Sequence, residues 1–186
     1  MSARRLYLLV EGNDDERFFS RVVVPLVSPR YRSVHVVRYA GMKRGTVCRL
    51  VRALRHRGDD YIVFSDIDEE QSVQAKKEVI RGRFCVLSDR DIVVIVREIE
   101  SWYLAGLDAG AEDALSLPHA RSTDDITKED FNARIPHRYS SRIAFMHEIL
   151  DRYSVTVACG KNRSFRYYAT RFRIAPCDGA PGAGAG

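Results

Sequence analysis

Short apolar runs alternate with amphipathic segments over the first hundred residues, and this alternation constrains the fold more than any other feature. The β-prone runs at 6–10, 33–40, 61–64 and 91–96 predict four strands. Helical spacing of apolar residues follows at 18–26 and 47–54, and 70–82 also looks helical. Strands alternating with helices predict an α/β fold, a parallel sheet flanked by helices.

The pattern becomes mainly helical after Glu98, with predicted helices at 99–107, 140–152 and 162–172. The polar stretch 108–138 is expected to be a loop without regular structure, and the Gly- and Ala-rich end to be a flexible tail. We therefore predict three parts. These are a core at 1–107, a loop and helical extension packed on it at 108–174, and a disordered tail at 175–186.

Composition excludes several classes of protein. The chain of 186 residues is 45% hydrophobic, too apolar for general disorder, yet no run approaches the length of a membrane helix. The apolar run before Glu11 is too short for a signal peptide, so we expect a cytoplasmic protein without membrane contact. The four cysteines are scattered without a C-x-x-C pair, and we expect reduced, buried thiols.

The charge distribution suggests a polyanionic partner. The net charge is +5, and only five of the 30 basic residues are lysine. Residues 1–60 carry 13 basic and six acidic groups, whereas residues 61–100 carry six and nine. A basic body around an acidic centre suits a metal-dependent enzyme that acts on nucleic acid. An arginine-rich surface without such a role explains the same numbers.

Acidic residues follow three of the predicted strands. Glu11 comes after the first, Asp66 and Asp68 after the third, and Glu98 after the fourth. The carboxyl ends of parallel strands share one edge of a sheet, so we expect these four side chains to converge there. An extended backbone at Asp66-Ile67-Asp68 would direct both carboxylates the same way. Oxygen ligands without His or Cys point to Mg²⁺ or Mn²⁺.

The motifs Leu-Leu-Val-Glu11-Gly-Asn-Asp-Asp15 and Val-Phe-Ser-Asp66-Ile-Asp68 resemble the TOPRIM domain of topoisomerases, bacterial primases and OLD-family nucleases. The likeness covers about residues 4–105, and the segments beginning at Glu98 and Lys161 look like small OLD-type TOPRIM proteins. No glycine follows the Asp-x-Asp motif closely, which argues against a primase or topoisomerase. The chain has no G-x-x-x-x-G-K-[ST] motif, so an ATPase would be a separate chain.

The resemblance implies a Mg²⁺-dependent or Mn²⁺-dependent nuclease. Glu11, Asp66 and Asp68 would be catalytic, and Lys161 would stabilise the transition-state phosphate. The metal ligands it implies are Glu11, Asp15, Asp66, Asp68 and Glu98. It also implies DNA or RNA as substrate and a separate ATPase subunit in phage defence or DNA repair. A homodimer remains open.

Basic residues outside the acidic motifs are candidate contacts to nucleic acid: Lys43, Arg44, Arg163 and Arg166. The last two lie in a segment where basic and aromatic residues alternate, which suits phosphates and stacked bases. The same segment fits an amphipathic helix packed on the core. Three other functions stay open. They are a non-catalytic TOPRIM module that binds nucleic acid or an ATPase, an RNA-processing ribonuclease, and a phosphohydrolase with Asp66 as nucleophile.

Overall fold

The computed structural model describes residues 4–84, 87–175 and 177. The chain divides into two compact units between Ile99 and Glu100, and the predicted boundary after residue 107 stays a prediction. The first unit contains a four-stranded parallel sheet, and the described part of the second is helical. The predicted α/β fold, with a parallel sheet flanked by helices and a helical C-terminal part, is confirmed.

The sheet has the order β2-β1-β3-β4, and every neighbouring pair is parallel. Its strands are β1 (Arg5–Val10), β2 (Ser33–Arg38), β3 (Asp60–Asp66) and β4 (Ile92–Ile95). Leu9 is in register with Val37 on one side and Val63 on the other. The carboxyl ends of the four strands therefore lie at one edge, which we call the carboxyl edge.

The helices of the first unit connect the strands and cover the sheet. They are α1 (Asn13–Phe18), a π-helical turn (Phe19–Val23), α2 (Val24–Val27), a 3-10 turn (Ser28–Arg30), α3 (Arg44–Arg57), α4 (Val73–Arg83) and a second 3-10 turn (Asp89–Asp91). Pro25 is the second residue of α2, which directly follows the π-helical turn and ends at Val27. Proline has no backbone N–H and interrupts the hydrogen bonds of an α-helix, and a π-helical turn is a common local adjustment to such an interruption.

Both faces of the sheet are buried at β1, β3 and β4, whereas the edge strand β2 is partly exposed. Leu9 and Val63 belong to a cluster that also contains residues of α3 and α4, including Val51 and Ile80. On the opposite face Phe64 contacts Phe19, with ring centroids 4.2 Å apart. Side chains alternate between faces along a strand, so unbroken apolar runs such as 92–95 supply both cores at once.

The described part of the second unit is built from short helices. They are α5 (Ile99–Ala105), which begins at the unit boundary, α6 (Ala109–Leu115), α7 (Lys128–Ala133), α8 (Arg142–Asp151), α9 (Val155–Lys161) and α10 (Arg163–Arg171). The expectation of a loop throughout 108–138 is wrong, because α6 and α7 lie within it. Asp108 and Thr127 cap these helices by accepting bonds from the backbone N–H groups of Ala111 and Asp130. Local capping begins helices here that apolar spacing does not reveal.

An aromatic cluster forms the core of the second unit. Trp102 is completely buried and stacks on Tyr168 at 5.5 Å, while Phe165 meets its edge at 5.1 Å. The indole Nε1 of Trp102 donates to Ser164 Oγ at 2.8 Å. The apolar face of α10 thus packs within this unit, as the amphipathic-helix interpretation predicts.

The expectation of four reduced thiols is wrong in this structure. Cys159 and Cys177 form a disulfide, and Cys48 is also disulfide-bonded. Cys85 lies outside the described residues. The predicted tail begins at 175, and its residue Cys177 is tied to α9 by this disulfide; residues 176 and 178–186 lie outside the described part. Among the helices described, none has both the length and the apolar character needed to cross a membrane.

Candidate functional site

The order of the sheet defines where a ligand site is expected. The chain passes from β1 outward to β2 and then returns to place β3 on the other side of β1. This reversal makes the carboxyl ends of β1 and β3 a topological switch point, the usual ligand site of open α/β sheets. Glu11 follows β1 and Asp66 ends β3, so both predicted acids lie at this point.

Glu11 is held in place by two hydroxyl groups. Its Oε1 accepts a hydrogen bond from Ser65 Oγ at 2.5 Å and lies 3.1 Å from the hydroxyl of Tyr39. Ser65 comes from β3, and Tyr39 directly follows β2. Side chains from the ends of the two neighbouring strands thus fix the carboxylate that follows β1, which restricts its orientation before any ligand arrives.

Tyr39 is a donor in this arrangement and not a nucleophile. It is 1% exposed, and its single hydroxyl proton lies within reach of two acceptors, the Phe64 carbonyl at 2.8 Å and Glu11 Oε1 at 3.1 Å. Burial, followed by the negative charge of Glu11, raises the pKa of Tyr39 far above its ordinary value. The phenol therefore stays protonated at all physiological pH values.

An open cleft of about 570 Å³ begins at Glu11 and extends along the end of β2. Val36, Val37 and Met42 supply its apolar wall, while Asn13, Glu16 and Arg38 supply polar groups. Arg38 hydrogen-bonds to Asn13 and forms an ion pair with Glu16 at 3.1 Å. With Glu11 and Glu16 against a single arginine, the carboxylates outnumber the cations in its lining.

Asp66 and Asp68 do not share the geometry that the sequence suggests. Asp66 is the last residue of β3, with Oδ1 buried, but Asp68 has left-handed backbone conformation with φ of 51°. The expectation that one extended segment directs both carboxylates the same way is therefore wrong. Asp68 instead forms an ion pair with Lys76 of α4.

Asp15 and Glu98 occupy positions next to helix starts. Asp15 is 5% exposed, and its Oδ2 accepts a hydrogen bond from the backbone N–H of Gly12 at 3.1 Å. It thereby closes the turn between Glu11 and α1. Glu98 is half-buried and immediately precedes α5, and Arg97 before it has φ of 65°. The hydrogen bond with Gly12 therefore gives Asp15 a structural role in the turn that follows β1.

The predicted convergence of four carboxylates is not seen. Within 4–84, 87–175 and 177, no three His, Cys, Asp or Glu side chains are grouped as metal ligands. The donor chemistry at the switch point nonetheless fits Mg²⁺, which takes one or two carboxylates and completes its shell with water and substrate phosphate. Glu11 and Asp66 are the carboxylates that would hold it.

The second unit contains three of the predicted basic residues, each with an intramolecular partner. Lys161 Nζ donates to Glu112 at 2.7 Å and to the Leu107 carbonyl at 2.6 Å. Arg163 pairs with Asp124 at 2.8 Å, and Arg166 donates to the Cys159 carbonyl at 2.6 Å. The transition-state role of Lys161 stays a prediction, and so does nucleic-acid binding by the arginines.

The other two predicted basic residues lie in the first unit. Lys43 and Arg44 are exposed at the start of α3, directly after Met42 of the cleft. Arg44 donates to the Gly82 carbonyl at 2.8 Å. Lys43 is thus a surface cation, and the residue before it lines the cleft.

Sequence reasoning missed Tyr39, Ser65, Lys76 and Arg38. The rule that placed acids at the carboxyl edge applies equally to Tyr39 and Ser65, which lie at the ends of β2 and β3. Hydroxyl groups at strand ends are therefore the signal by which the sequence indicates these two residues. No local sequence pattern predicts the ion pair between Lys76 and Asp68, because it depends on how α4 packs against the turn after β3.

Comparison with solved structures finds a similar fold in the C-terminal region of the Burkholderia pseudomallei OLD protein. The TM-score is 0.52 at 16% sequence identity, over 94% of this chain and 100% of that one. No protein-family model and no curated protein matches the sequence. The likeness shows a shared α/β architecture with a helical C-terminal part.

Proposed function

We propose that the chain is a metal-dependent nuclease that hydrolyses phosphodiester bonds of DNA or RNA. The observation that carries the proposal is the Glu11 carboxylate, fixed by Ser65 and Tyr39 at the switch point and open to the cleft. The TOPRIM-like motifs and the fold shared with an OLD protein region support the same chemistry. Mg²⁺ or Mn²⁺ is the cofactor.

The cleft supplies the path for the substrate strand. Its apolar wall suits the face of a sugar or base, and Arg38 and the neighbouring Lys43 suit phosphate. Because carboxylates outnumber cations in the lining, a polyanion entering the cleft requires an additional positive charge. A divalent ion held by Glu11 and Asp66 would supply that charge and acidify a bound water.

The protein residues have separate tasks in this reaction. Ser65 and Tyr39 keep the Glu11 carboxylate oriented, and the raised pKa of Tyr39 keeps its hydroxyl a donor. Asp66 presents its carboxylate from the adjacent strand. Arg38 holds a phosphate next to the reacting bond, where it offsets developing negative charge.

The cellular role follows the same proposal. The protein would act in the cytoplasm on DNA or RNA, with a separate ATPase subunit, in phage defence or DNA repair. One observation favours a second candidate, a non-catalytic module that binds nucleic acid or the ATPase. Within the described residues no three-ligand metal cluster is formed. An RNA-processing ribonuclease is the version of the first proposal in which only RNA is cut.

A nuclease panel tests these functions. Plasmid DNA, single-stranded DNA and structured RNA are incubated with Mg²⁺, Mn²⁺ or EDTA. We expect metal-dependent cleavage by the wild type and at least about a hundredfold loss in Glu11→Gln and Asp66→Asn, because each removes a charge that acts on the transition state. Glu78→Gln is the control, since Glu78 is an exposed acid on α4 that does not line the cleft.

Full cleavage by well-folded Glu11→Gln would contradict the proposal. Binding of nucleic acid without cleavage under every metal condition would favour the non-catalytic module. Cleavage of structured RNA alone would select the ribonuclease.

A further inference from the structure

Lys76 is a buried cation at the carboxyl edge to which the nuclease chemistry assigns no task. Its side chain is 9% exposed, yet its ammonium reaches Asp68, whose side chain is 58% exposed. Lys76 lies in the first turns of α4, whose start is capped by Ser72. Asp68 lies two residues beyond Asp66, in the turn that follows β3.

The energetics of the pair are asymmetric. Removing the partner of a buried ammonium leaves an uncompensated charge in a medium of low polarity, which is strongly unfavourable. An exposed carboxylate loses far less when its partner leaves, because water replaces it. A metal ion that bound Asp68 would therefore leave the Lys76 ammonium without its carboxylate. The free-energy cost of that unpaired charge disfavours metal binding at Asp68.

We propose that Lys76 is a fixed cation that occupies Asp68 in place of a metal ion, so that the site loads one divalent ion and not two. The proposal rests on the nuclease function and specifies its metal content. Glu11 and Asp66 hold the single ion, while Asp68 keeps α4 and its lysine at the edge of the site. Lys76 is thus a positioning residue.

Mn²⁺ binding to the full chain without nucleic acid tests the proposal, by calorimetry and by the spectroscopic signal of free Mn²⁺. The wild type should bind one ion. Asp68→Asn combined with Lys76→Met leaves the net charge at the edge unchanged and should keep Mn²⁺ affinity within about threefold of the wild type, because Asp68 is not a ligand. Lys76→Met should bind a second ion or bind Mn²⁺ about tenfold more tightly, because a cation is removed next to a carboxylate.

Two variants control for folding and for charge. Lys77→Met removes the neighbouring lysine of α4, which donates to the Asp89 carbonyl at 3.2 Å, and should change neither stoichiometry nor affinity. Lys76→Arg should retain one ion. Melting temperatures separate loss of fold from loss of binding.

A tenfold or greater loss of Mn²⁺ affinity in the double variant Asp68→Asn, Lys76→Met would overturn the proposal while leaving the nuclease function intact. Two ions bound to the wild type would overturn it as well. No Mn²⁺ binding by the wild type, joined with no cleavage, would overturn the function and this inference together.

Discussion

At the scale of single residues, the hydroxyl of Tyr39 is the contact most open to test. It satisfies the Phe64 carbonyl at 2.8 Å and lies 3.1 Å from Glu11. Tyr39→Phe removes a buried hydrogen-bond donor that faces two acceptors, and we expect the free energy of unfolding to fall by about 1–3 kcal/mol. Urea unfolding followed by circular dichroism measures it, with the half-exposed Tyr167→Phe as control.

The same variant has a pH signature. The pKa of Tyr39 is raised above its ordinary 10.0 in the folded chain, chiefly by burial. The folded state therefore holds this proton more tightly than the unfolded state, and stability falls as pH rises above about 10. Tyr39→Phe should show a shallower decline. Equal stability and equal alkaline slope in the two proteins would contradict the assigned contact.

The sequence could predict the acids of the site but not their partners. Glu11 and Asp66 were identifiable because strand ends at one edge follow from the apolar pattern alone. The direction of Asp68 was not, because its left-handed conformation is set by the turn into α4. The capture of Lys161 by Glu112 depends on packing between segments far apart in sequence, which no local motif encodes.

At the scale of elements, helix capping in the second unit leads to a further prediction. Asn162 is 1% exposed and caps α10, with Oδ1 accepting the N–H of Phe165 at 2.9 Å. Its amide nitrogen also lies 3.2 Å from Thr123 Oγ1. We expect Asn162→Ala to lower the free energy of unfolding by about 2–4 kcal/mol, since a cap and a buried hydrogen bond are both lost.

Ser141 provides the matched comparison, because it caps α8 from an exposed position by accepting the N–H of Ala144 at 3.1 Å. Ser141→Ala should cost only about 1 kcal/mol. Both changes are measured by the fluorescence of Trp102, the single tryptophan, which lies in the same unit. Equal losses would show that burial of the Asn162 network adds nothing to the cap.

Capping also explains which elements the sequence revealed. The sequence predicts the long helix α3 because Val47, Val51 and Leu54 recur at helical spacing. Helices α6, α7 and α9 have six or seven residues each and begin at caps. Their stability comes from the cap and from tertiary packing. Six or seven residues contain too few apolar positions for helical spacing to be recognised in the sequence.

At the scale of the whole molecule, the disulfide between Cys159 and Cys177 decides how much of the chain end is needed. It closes a loop with a sequence separation of 18 residues, and α10 lies within that loop. Such a cross-link restricts the unfolded chain and stabilises a fold by about 3 kcal/mol in the loop-entropy model. A chain ending after Cys177 should therefore unfold like the full chain.

A chain ending after Ala175 lacks Cys177 and should lose about 3 kcal/mol in the absence of reductant. Trp102 fluorescence in urea follows both variants, because Trp102 packs against Phe165 and Tyr168 within the closed loop. With dithiothreitol the difference between the two variants should disappear, since the bond is then open in both. Identical unfolding without reductant would mean that the thiols are reduced in solution, as the scattered cysteine pattern predicts for a cytoplasmic protein.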